Sequence, residues 1–467
     1  MMRSADVIVV GGGPAGVSAA TEAAKNKLSV VLIDENTSLG GKVFRPEEAG
    51  AESDNADPLA ARLRNRLFKS FESVADGIRV CLGSEVWNIE GSKTVYVYSD
   101  RDRETSQKVF QGKRLIIAPG AIERVMPFEG WTTPGVFTVG GLNALVKKKV
   151  VPGKRILIAG SGPLPLALIN NLLQAKVKIV GIVVPTSIKT IIQNAIPMLS
   201  CAGRHRIKQG FEAIWCIRAN HIPVFNAHVL KRVTGRHTDF KATLVQIGPD
   251  WKPMTGSEKE VSADAIAVGY GLVPSVELTQ LAGCEHCYDE TLGYWRAVRS
   301  PRLETTVPGI FVAGDGAQVK GYEAAVNEGK LAGVEAAHQL GQVAQKDANQ
   351  WIGSLEKKLK KMAAFGKILD RLSTPEPGLL EIVPDTTTVC RCEEVTLGEI
   401  KKAVGDGAAS INDIKRRTRL GMGHCQGRFC GQVINELLSL LNKETRTRGS
   451  FTPRIPVRPV PFKVLAG

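Results

Sequence analysis

The chain of 467 residues lacks the long apolar segments of a membrane protein. No apolar run approaches the ~20 residues that a membrane-spanning helix needs, because lysine or arginine interrupts every candidate. A signal-peptide pattern is also missing, since the apolar residues 7–10 have the length of a strand and run straight into glycines. The sequence therefore predicts a cytoplasmic protein without a membrane span.

Aromatic residues are scarce, at 6% of the chain, although the formal net charge is +15. Proteins that bind single-stranded nucleic acids commonly combine basic surfaces with aromatic side chains on which bases stack. No nucleic-acid-binding motif accompanies the positive charge, and nearly half of the excess lies in residues 390–467. We expect no nucleic-acid partner. The basic end of the chain suits an acidic partner, an anionic substrate or an anionic cofactor instead.

The nine cysteines do not form a disulfide framework, because their number is odd and most are scattered through a large chain. The last four are ordered, as Cys390-x-Cys392 and Cys425-x4-Cys430. Four thiolates can hold a [2Fe–2S] cluster or one zinc ion. Zinc sites usually show Cys-x2-Cys pairs, so this spacing favours the cluster, with zinc and buried free thiols as alternatives. The separate pair at residues 284 and 287 is interpreted as structural.

A glycine-rich turn near the N-terminus predicts a nucleotide site. Residues 6–10, an aspartate and four apolar residues, predict a buried strand. Gly11, Gly13 and Gly16 follow, and then come a helix and a second strand that ends at Asp34. In this motif the glycines allow a tight turn, close approach of a pyrophosphate and close helix packing, and the carboxylate binds a ribose hydroxyl.

Three further features favour a flavin nucleotide, FAD, over a nucleotide without a flavin ring. A strand over residues 310–313 ends in Gly314-Asp315, an apolar strand ends in Pro119-Gly120, and Gly40-Gly41 follows the second strand of the first motif. Two-dinucleotide-domain flavoproteins carry such elements in this order. The remaining predicted cofactor-binding residues are Pro14, Ala15, Glu35, Lys42, Arg45 and Val86.

A second glycine-rich turn, at Gly160 and Gly162, is degenerate. Proline replaces its third glycine at position 165, and residues 183–185 read Val-Val-Pro where an acidic or basic residue should meet a ribose. A working NAD(P)H site normally needs that contact. We therefore expect a vestigial site, or one for another nucleotide, rather than functional NAD(P)H binding.

The order of the predicted elements indicates an α/β protein, a two-dinucleotide-binding-domain flavoprotein of glutathione-reductase type with a small C-terminal [2Fe–2S] domain. Strands over 263–269 and 309–313 are expected to return to the first sheet, and a long helix is expected over 322–339. The FAD domain is predicted in two parts, at 1–120 and 256–345, with the degenerate nucleotide domain between them at 121–255. A helical linker at 346–385, the cluster domain at 386–440 and an extended tail at 441–467 follow.

Within the cluster domain, Thr396 and Glu399 predict a capping box at the start of a helix.

Two long segments resemble a known family. Residues 120–136, GAIERVMPFEGWTTPGV, are similar to a signature of the A subunits of opine oxidases, which act on octopine and nopaline. The B subunit of hydrogen cyanide synthase and the α-type subunits of D-hydroxyproline dehydrogenases share that signature. Residues 414–430, IKRRTRLGMGHCQGRFC, resemble the cluster domain of the same family, which is similar to bacterioferritin-associated ferredoxin. Residues 160–164 and 453–466 fit as well.

The resemblance implies one subunit of a heteromeric flavoenzyme. A partner similar to D-amino-acid oxidases, the B or β subunit, carries its own FAD and oxidises the C–N bond of an amine or opine. Relatives also hold an FMN between subunits, and some hold NAD or ATP in the first nucleotide site. Because the amine chemistry belongs to the partner, no catalytic residue is predicted here. The alternatives are a hydrogen cyanide synthase subunit that oxidises glycine, a stand-alone NAD(P)H-dependent reductase and a cluster-assembly scaffold.

Overall fold

The computed structural model describes residues 3–45, 57–91, 93–99, 108–201, 204–441 and 449–465. The N-terminal third is a parallel sheet with an antiparallel extension and two helices. Its elements are β1 (Arg3–Val10), α1 (Pro14–Lys25), β2 (Val30–Ile33), α2 (Pro58–Glu72), β3 (Ile78–Cys81), β4 (Ser84–Glu90), β5 (Thr94–Ser99), β6 (Lys108–Ile117) and β7 (Ala121–Glu123). The strand order is β3-β2-β1-β6-β5-β4, so the buried apolar strand β1 lies near the centre, as its sequence predicts.

The middle of the chain forms a second nucleotide-binding unit. Its elements are β8 (Val136–Thr138), α3 (Val139–Lys147), β9 (Arg155–Ser161), α4 (Pro163–Gln174), β10 (Lys178–Val184), α5 (Ile188–Cys201), α6 (Arg204–Ala219), β11 (Val224–Asn226), β12 (His228–Arg236), β13 (Asp239–Gln246), β14 (Lys259–Ala263), β15 (Ala265–Tyr270) and β16 (Leu272–Pro274). The parallel sheet runs β11-β10-β9-β15-β8, and β12–β14 form a separate antiparallel sheet.

One strand prediction is wrong. The sequence predicts that residues 263–269 return to the first sheet, but β15 pairs in parallel with β9 and β8 in the second sheet, so that sheet continues beyond residue 255. A short apolar strand fits the centre of either sheet equally well, and its pattern does not say which sheet it joins. The other returning strand is confirmed, because residues 310–312 pair with β6.

The rest of the chain completes the first unit and adds a small third one. Its elements are α7 (Glu277–Leu281), β17 (His286–Asp289), β18 (Tyr294–Ala297), β19 (Ile310–Val312), α8 (Tyr322–Gln339), α9 (Gln345–Ser373), β20 (Thr388–Cys390), β21 (Val395–Thr396), α10 (Leu397–Gly405), α11 (Ile411–Thr418), α12 (Cys430–Leu441) and α13 (Phe462–Leu465). The predicted capping box at Thr396 and Glu399 is confirmed at the start of α10.

The C-terminal tail differs in part from the extended segment that the sequence predicts from residue 441 onward. Residues 442–448 and 466–467 lie outside the described part of the chain. Residues 449–461 carry no helix or strand, as expected for a segment with four prolines, but the tail then forms the short helix α13. Among the described residues, no helix combines the length and the apolar character that crossing a membrane requires.

Close packing of α1 against α8 brings the two halves of the first unit together. A Cβ atom on Gly329 would lie 2.1 Å from the carbonyl oxygen of Ala15, and one on Gly333 would lie 2.6 Å from that of Ala19. Only glycine permits this approach. The contact places the segment after β19, with Gly314 and Asp315, beside the first turn of α1.

Candidate functional site

A cavity of about 810 Å³ lies where the first sheet meets the second unit. It is large enough for a cofactor of dinucleotide size. Thirteen of the sixteen residues predicted to bind a cofactor line it: Gly11, Gly13, Pro14, Ala15, Asp34, Glu35, Gly41, Lys42, Arg45, Val86, Pro119, Gly120 and Asp315. The other three, Gly16, Gly40 and Gly314, support the backbone behind the lining.

The first glycine turn is shaped by backbone contacts that exclude side chains. Gly11 has a φ of +102°, and a Cβ atom there would lie 2.1 Å from the carbonyl oxygen of Ala118. A Cβ atom on Gly16 would lie 1.7 Å from the carbonyl oxygen of Gly11. Gly13 is different, because a Cβ atom there would meet only the Cα of Gly41, at 3.9 Å, and would face the cavity. The backbone of Gly13 is thus open to a phosphate group at the N-terminus of α1.

The acidic residues after β2 have distinct environments. Asp34 is buried, and its carboxylate accepts hydrogen bonds from the backbone N–H of Gly12 and from Asn36. Glu35 is about half exposed. Arg45 donates to the side chain of Asn36, at 2.7 Å, and so belongs to the same network. This network fixes Asp34 at the cavity wall, where a ribose hydroxyl can reach it.

The Gly40-Gly41 loop passes close to the first turn. Gly40 donates its N–H to the carbonyl of Gly12, at 2.8 Å, and a Cβ atom on Gly41 would lie 2.9 Å from the Cα of Gly13. Lys42 follows, and its ammonium group donates to the carbonyl of Ala121, at 2.8 Å. Burial lowers the pKa of Lys42, and the charges of Glu123 and Glu35 oppose that shift. The side chain of Lys42 thus forms part of the cavity wall.

The Gly314-Asp315 segment is held by a buried ion cluster that the sequence does not reveal. Glu328 is fully buried and binds Arg299 through two contacts of 2.8 Å, Lys320 at 3.0 Å and the N–H of Gly314 at 2.9 Å. Burial alone would raise its pKa, but the two cations hold the pKa of Glu328 at about 2. Asp315 accepts hydrogen bonds from the backbone N–H groups of residues 320 and 321, while burial raises its pKa.

Three further predicted residues also line the cavity. Pro119 packs on Gly316, where a Cβ atom would lie 2.5 Å from the proline ring. Gly120 has a φ of +72° with open space beside it. Val86 is buried in β4. Together with the glycine turn, these residues give a partly apolar cavity whose lining includes the carboxylates of Asp34 and Asp315, which fits FAD.

The second glycine turn is covered by the C-terminal end of α9. Ser161 donates to the carbonyl oxygen of Ser373, at 3.0 Å, and Thr186 donates to that of Leu372, at 3.1 Å. A Cβ atom on Gly162 would lie 3.3 Å from the Ser373 hydroxyl. The last carbonyl groups of a helix have no partner within the helix, and here the second nucleotide unit supplies the partners.

The electrostatics of this contact resemble those of a bound anion. The N-terminus of α4 at Gly162 carries a partial positive charge, which in nucleotide-binding units attracts a phosphate. The C-terminus of α9 carries a partial negative charge and lies at that position. The chain therefore places its own helix end against the turn where a pyrophosphate would bind.

The four C-terminal cysteines come together in two pairs. Cys390 ends β20, Cys430 begins α12, and their side chains form one hydrogen-bonded pair. Cys392 and Cys425 form the other. Within the part of the chain that the structure describes, no three metal-binding side chains converge on a point that could hold a single ion. A [2Fe–2S] cluster needs two thiolates on each iron, and the paired sulfurs fit that requirement.

Backbone donors prepare one of these sulfurs for metal binding. A hydrogen bond from Cys430 and the backbone N–H groups of residues 421, 393 and 392 lower the pKa of Cys390 to about 5. Metals bind the thiolate form of cysteine. The hydrogen bond to Cys390 raises the pKa of Cys430.

The remaining Cys-x2-Cys pair does not form a redox site near the cavity. Cys284 is buried and donates to the hydroxyl of Thr305, at 3.3 Å, and burial raises its pKa. Cys287 lies in β17, and both thiols are free. Neither lines the cavity. The structural role of this pair stays a prediction.

Sequence reasoning missed several residues that shape the site. Glu328 gave a weak signal, as a carboxylate among the small residues of α8. Arg458 in the tail and Glu123, whose carboxylate accepts the N–H of Gly140 at 2.8 Å, also line the cavity. Nothing in their local sequence patterns marks them, because each meets the site only through the fold.

The sequence matches two protein families. Residues 5–348 match the pyridine nucleotide-disulphide oxidoreductase family, and residues 388–439 match the BFD-like [2Fe–2S] binding domain. These matches and the fit of both sites assign FAD and a [2Fe–2S] cluster as the cofactors. FAD exchanges electron pairs or single electrons, and the cluster exchanges single electrons.

Full-length relatives are known. Hydrogen cyanide synthase subunit HcnB of Pseudomonas protegens is 31% identical over 98% of this chain and 97% of its own length. The A subunit of opine oxidase from Rhizobium meliloti is 30% identical over 97% of each chain. The crystal structure of L-proline dehydrogenase from P. horikoshii superimposes with a TM-score of 0.69, 22% identity and coverage of 100% of this chain and 81% of that one.

The predicted fold class and family are therefore confirmed. The structural match supports the fold of the whole chain, and the two full-length relatives are subunits of heteromeric enzymes by name. The chain is an oxidoreductase with sites for a flavin and an iron–sulfur cluster. It belongs to the pyridine nucleotide-disulphide oxidoreductase family, in the group that includes the opine oxidase A subunits and hydrogen cyanide synthase subunit HcnB.

Proposed function

We propose that this chain is the electron-transferring A-type subunit of a heteromeric enzyme that oxidises an opine, of the octopine or nopaline type, or another secondary amine. The substrate binds a partner subunit similar to D-amino-acid oxidases. There, oxidation of a C–N single bond to an imine releases two electrons and two protons, and water hydrolyses the imine to an amine and a carbonyl compound. The electrons leave through this chain. An FMN at the interface between the subunits is part of the proposal.

The observation that carries the proposal is the closure of the second nucleotide turn by α9. A stand-alone reductase of this family needs NAD(P)H at that turn, but Ser161 and Thr186 there bind the carbonyls of Ser373 and Leu372. The end of β10, at residues 183–185, also provides no acidic or basic side chain for the ribose. Electrons must then come from another source, and an amine-oxidising partner is such a source.

The residues of the two cofactor sites support a role in transfer rather than in substrate chemistry. The first cavity has the glycine turn, Asp34 and Asp315 to hold FAD, and the four paired cysteines to hold the cluster lie in a separate small unit. A scaffold for cluster assembly has no need of the flavin cavity. An oxidoreductase that passes electron pairs to a one-electron acceptor needs both sites.

A hydrogen cyanide synthase subunit is the second candidate. The HcnB relatives match this chain as extensively as the opine oxidase subunits do, which favours neither substrate. In that case the partner oxidises glycine to cyanide and carbon dioxide, a reaction that releases four electrons for each glycine. The path of the electrons through this chain is the same for both candidates.

The experiment that tests the proposal is an anaerobic visible spectrum of the chain purified with a co-expressed D-amino-acid-oxidase-like partner. We expect flavin and cluster bands that octopine or nopaline bleaches, with release of an α-keto acid, and that NAD(P)H leaves unchanged. Bleaching by glycine with release of cyanide would favour the second candidate. Bleaching by NAD(P)H within seconds would contradict both.

Cysteine variants separate the cluster from other absorbing groups. We expect Cys390→Ala to lose most of the iron, which is two atoms per chain in the unchanged protein if a [2Fe–2S] cluster is bound. The matched control is Cys284→Ala, which removes another buried cysteine and leaves the iron content unchanged. An equal loss in both variants would show unfolding, and no loss in Cys390→Ala would contradict the assignment of the ligands.

A further inference from the structure

The described part of the C-terminal tail, residues 449–465, connects the two cofactor sites. It begins on the cluster unit, where Gly449 donates its N–H to the side chain of Asn435, at 3.0 Å, and accepts from the indole of Trp295, at 3.0 Å. Asn412 of α11 donates to the hydroxyl of Thr452, at 3.1 Å. These contacts fix the start of this segment.

Phe451 packs directly on the loop that carries two of the cysteines. A Cβ atom on Gly421 would lie 2.8 Å from its ring, and one on Gly427 would lie 2.3 Å from it. Lys415 belongs to α11, and its ammonium group lies 5.3 Å from the centre of the Phe451 ring. The glycines of the cluster loop thus accommodate the aromatic ring of the tail as well as the cysteine sulfurs.

The other end of the tail packs on the first sheet, beside the FAD cavity. Val457 is buried and donates its N–H to the carbonyl of Trp87 in β4, at 3.0 Å. Val464 in α13 is 1% exposed and packs against Trp87 and Tyr98. The residue between these anchors that turns toward the cavity is Arg458.

Arg458 lies in the cavity wall with Asp34 and Glu35, where the sequence predicts that a ribose binds. Its guanidinium group is 3.4 Å from the carboxylate of Glu35, and its side chain is 24% exposed. A guanidinium has five N–H donors and a flat face that stacks on aromatic rings. Adenosine offers ribose hydroxyls, ring nitrogen acceptors and an aromatic face, so its chemistry matches that of Arg458.

We propose that Arg458 is a nucleotide-binding residue of the first site, which contacts the adenosine half of the bound cofactor. The tail thereby supplies a side chain to the FAD cavity from a segment anchored on the cluster unit. This inference goes beyond the proposed function, because it holds whatever the substrate and the partner are.

The test compares Arg458→Ala with Arg454→Ala, which removes an exposed arginine of the same tail. FAD affinity is measured by flavin fluorescence during titration of the FAD-free chain, and ADP is used as a competitor that carries only the adenosine half. We expect about tenfold weaker binding or more, for both FAD and ADP, in Arg458→Ala, since a hydrogen bond to a charged group is lost. Arg454→Ala should bind like the unchanged chain.

Two controls keep the result interpretable. Unchanged iron content and thermal unfolding in Arg458→Ala show that the tail and the cluster unit are intact. In a Glu35→Ala background, Arg458→Ala should still weaken ADP binding if the guanidinium contacts the nucleotide directly. The proposal is overturned if Arg458→Ala binds FAD and ADP with unchanged affinity, or if its effect disappears in the Glu35→Ala background.

Discussion

The two glycine turns of this chain have the same local construction but different surroundings. Both connect a central parallel strand to a helix, at Gly11–Gly16 and at 160–165. The first opens into the cavity of about 810 Å³, whereas the second faces the C-terminal end of α9. At the first turn a phosphate can bind at the positive end of α1. At the second turn that position, at the positive end of α4, is taken by the negative end of α9.

The difference shows that a turn motif determines backbone shape and not access. Gly160 approaches β15 so closely that a Cβ atom would lie 1.7 Å from the carbonyl oxygen of Gly269, and a Cβ atom at the equivalent Gly11 would lie 2.1 Å from that of Ala118. The second turn therefore keeps its structural glycine although its ligand position is covered. Variants at equivalent positions of the two turns can separate these two roles.

The largest effect is expected from Gly13→Val in the first turn. A side chain there meets little protein and projects into the cavity, so the fold should persist while the phosphate position is blocked. We expect FAD affinity to fall by about a hundredfold or more, which flavin fluorescence titration measures. The matched change in the second turn, Gly162→Ala, introduces a side chain at a φ of +92° and a ψ of −174°, and should cost about 1–3 kcal/mol of stability without changing FAD affinity. Normal FAD binding by Gly13→Val would remove the first turn from the site.

The next largest effect is expected at the buried ion cluster of Glu328, which supports the first nucleotide site and not the second. Glu328→Gln leaves Arg299 without its buried partner and should lower the free energy of unfolding by about 3 kcal/mol at pH 7. The folded-state pKa of about 2 lies below the ordinary value of 4.5, so this stabilisation is complete above pH 4.5 and is lost as the pH falls toward 2. Urea unfolding at several pH values should show the two proteins converging in acid.

The matched control for that change is Glu335→Gln on the same helix. Its partner Arg302 is 37% exposed, so the loss should be much smaller and FAD affinity should not change. Two results would contradict this account of the buried cluster. One is an equal loss of unfolding free energy in Glu328→Gln and Glu335→Gln. The other is a loss in Glu328→Gln that does not change with pH.

The smallest effect is expected at the second turn. Ser161→Ala with Thr186→Val removes both hydrogen bonds to the end of α9 and should lower the free energy of unfolding by about 2 kcal/mol. Proteolysis within residues 374–378 should become faster, whereas Ser354→Ala on the exposed face of α9 should leave it unchanged. NAD(P)H should still not bleach the flavin, since residues 183–185 carry no charge for a ribose. A gain of NAD(P)H reactivity would identify α9 as the sole barrier.

Local patterns allowed much of the candidate site to be predicted. The first glycine turn, Asp34 and Gly314-Asp315 follow from short sequence stretches in which strand, turn and helix are adjacent. The helix bounds 322–339 and the capping box at Thr396 were also predictable, because they depend on neighbouring residues. The cysteine spacing indicated the cluster, but not the pairing, because the fold joins Cys390 to Cys430 and Cys392 to Cys425 across the two motifs.

The parts that could not be predicted depend on contacts between distant residues. The sheet to which β15 belongs is decided by pairing with β9, more than a hundred residues away in the chain. Glu328 reads as an ordinary helix residue until Arg299 and Lys320 surround it. The bond between Ser161 and Ser373 spans 212 residues, and no local pattern predicts it.

The sequence by itself determined the fold class, the family, the two cofactors and the degenerate character of the second turn. The fold class, the cofactors and the degenerate turn follow from motifs whose chemistry requires particular residues at short spacings, and the family follows from the resemblance of residues 120–136 and 414–430. The tertiary structure decided that α9 closes the second turn, that Glu328 supports the first site and that Arg458 reaches the FAD cavity. The physical reason is that hydrogen bonds and charges act over a few ångströms in space, whatever the separation of the residues along the chain.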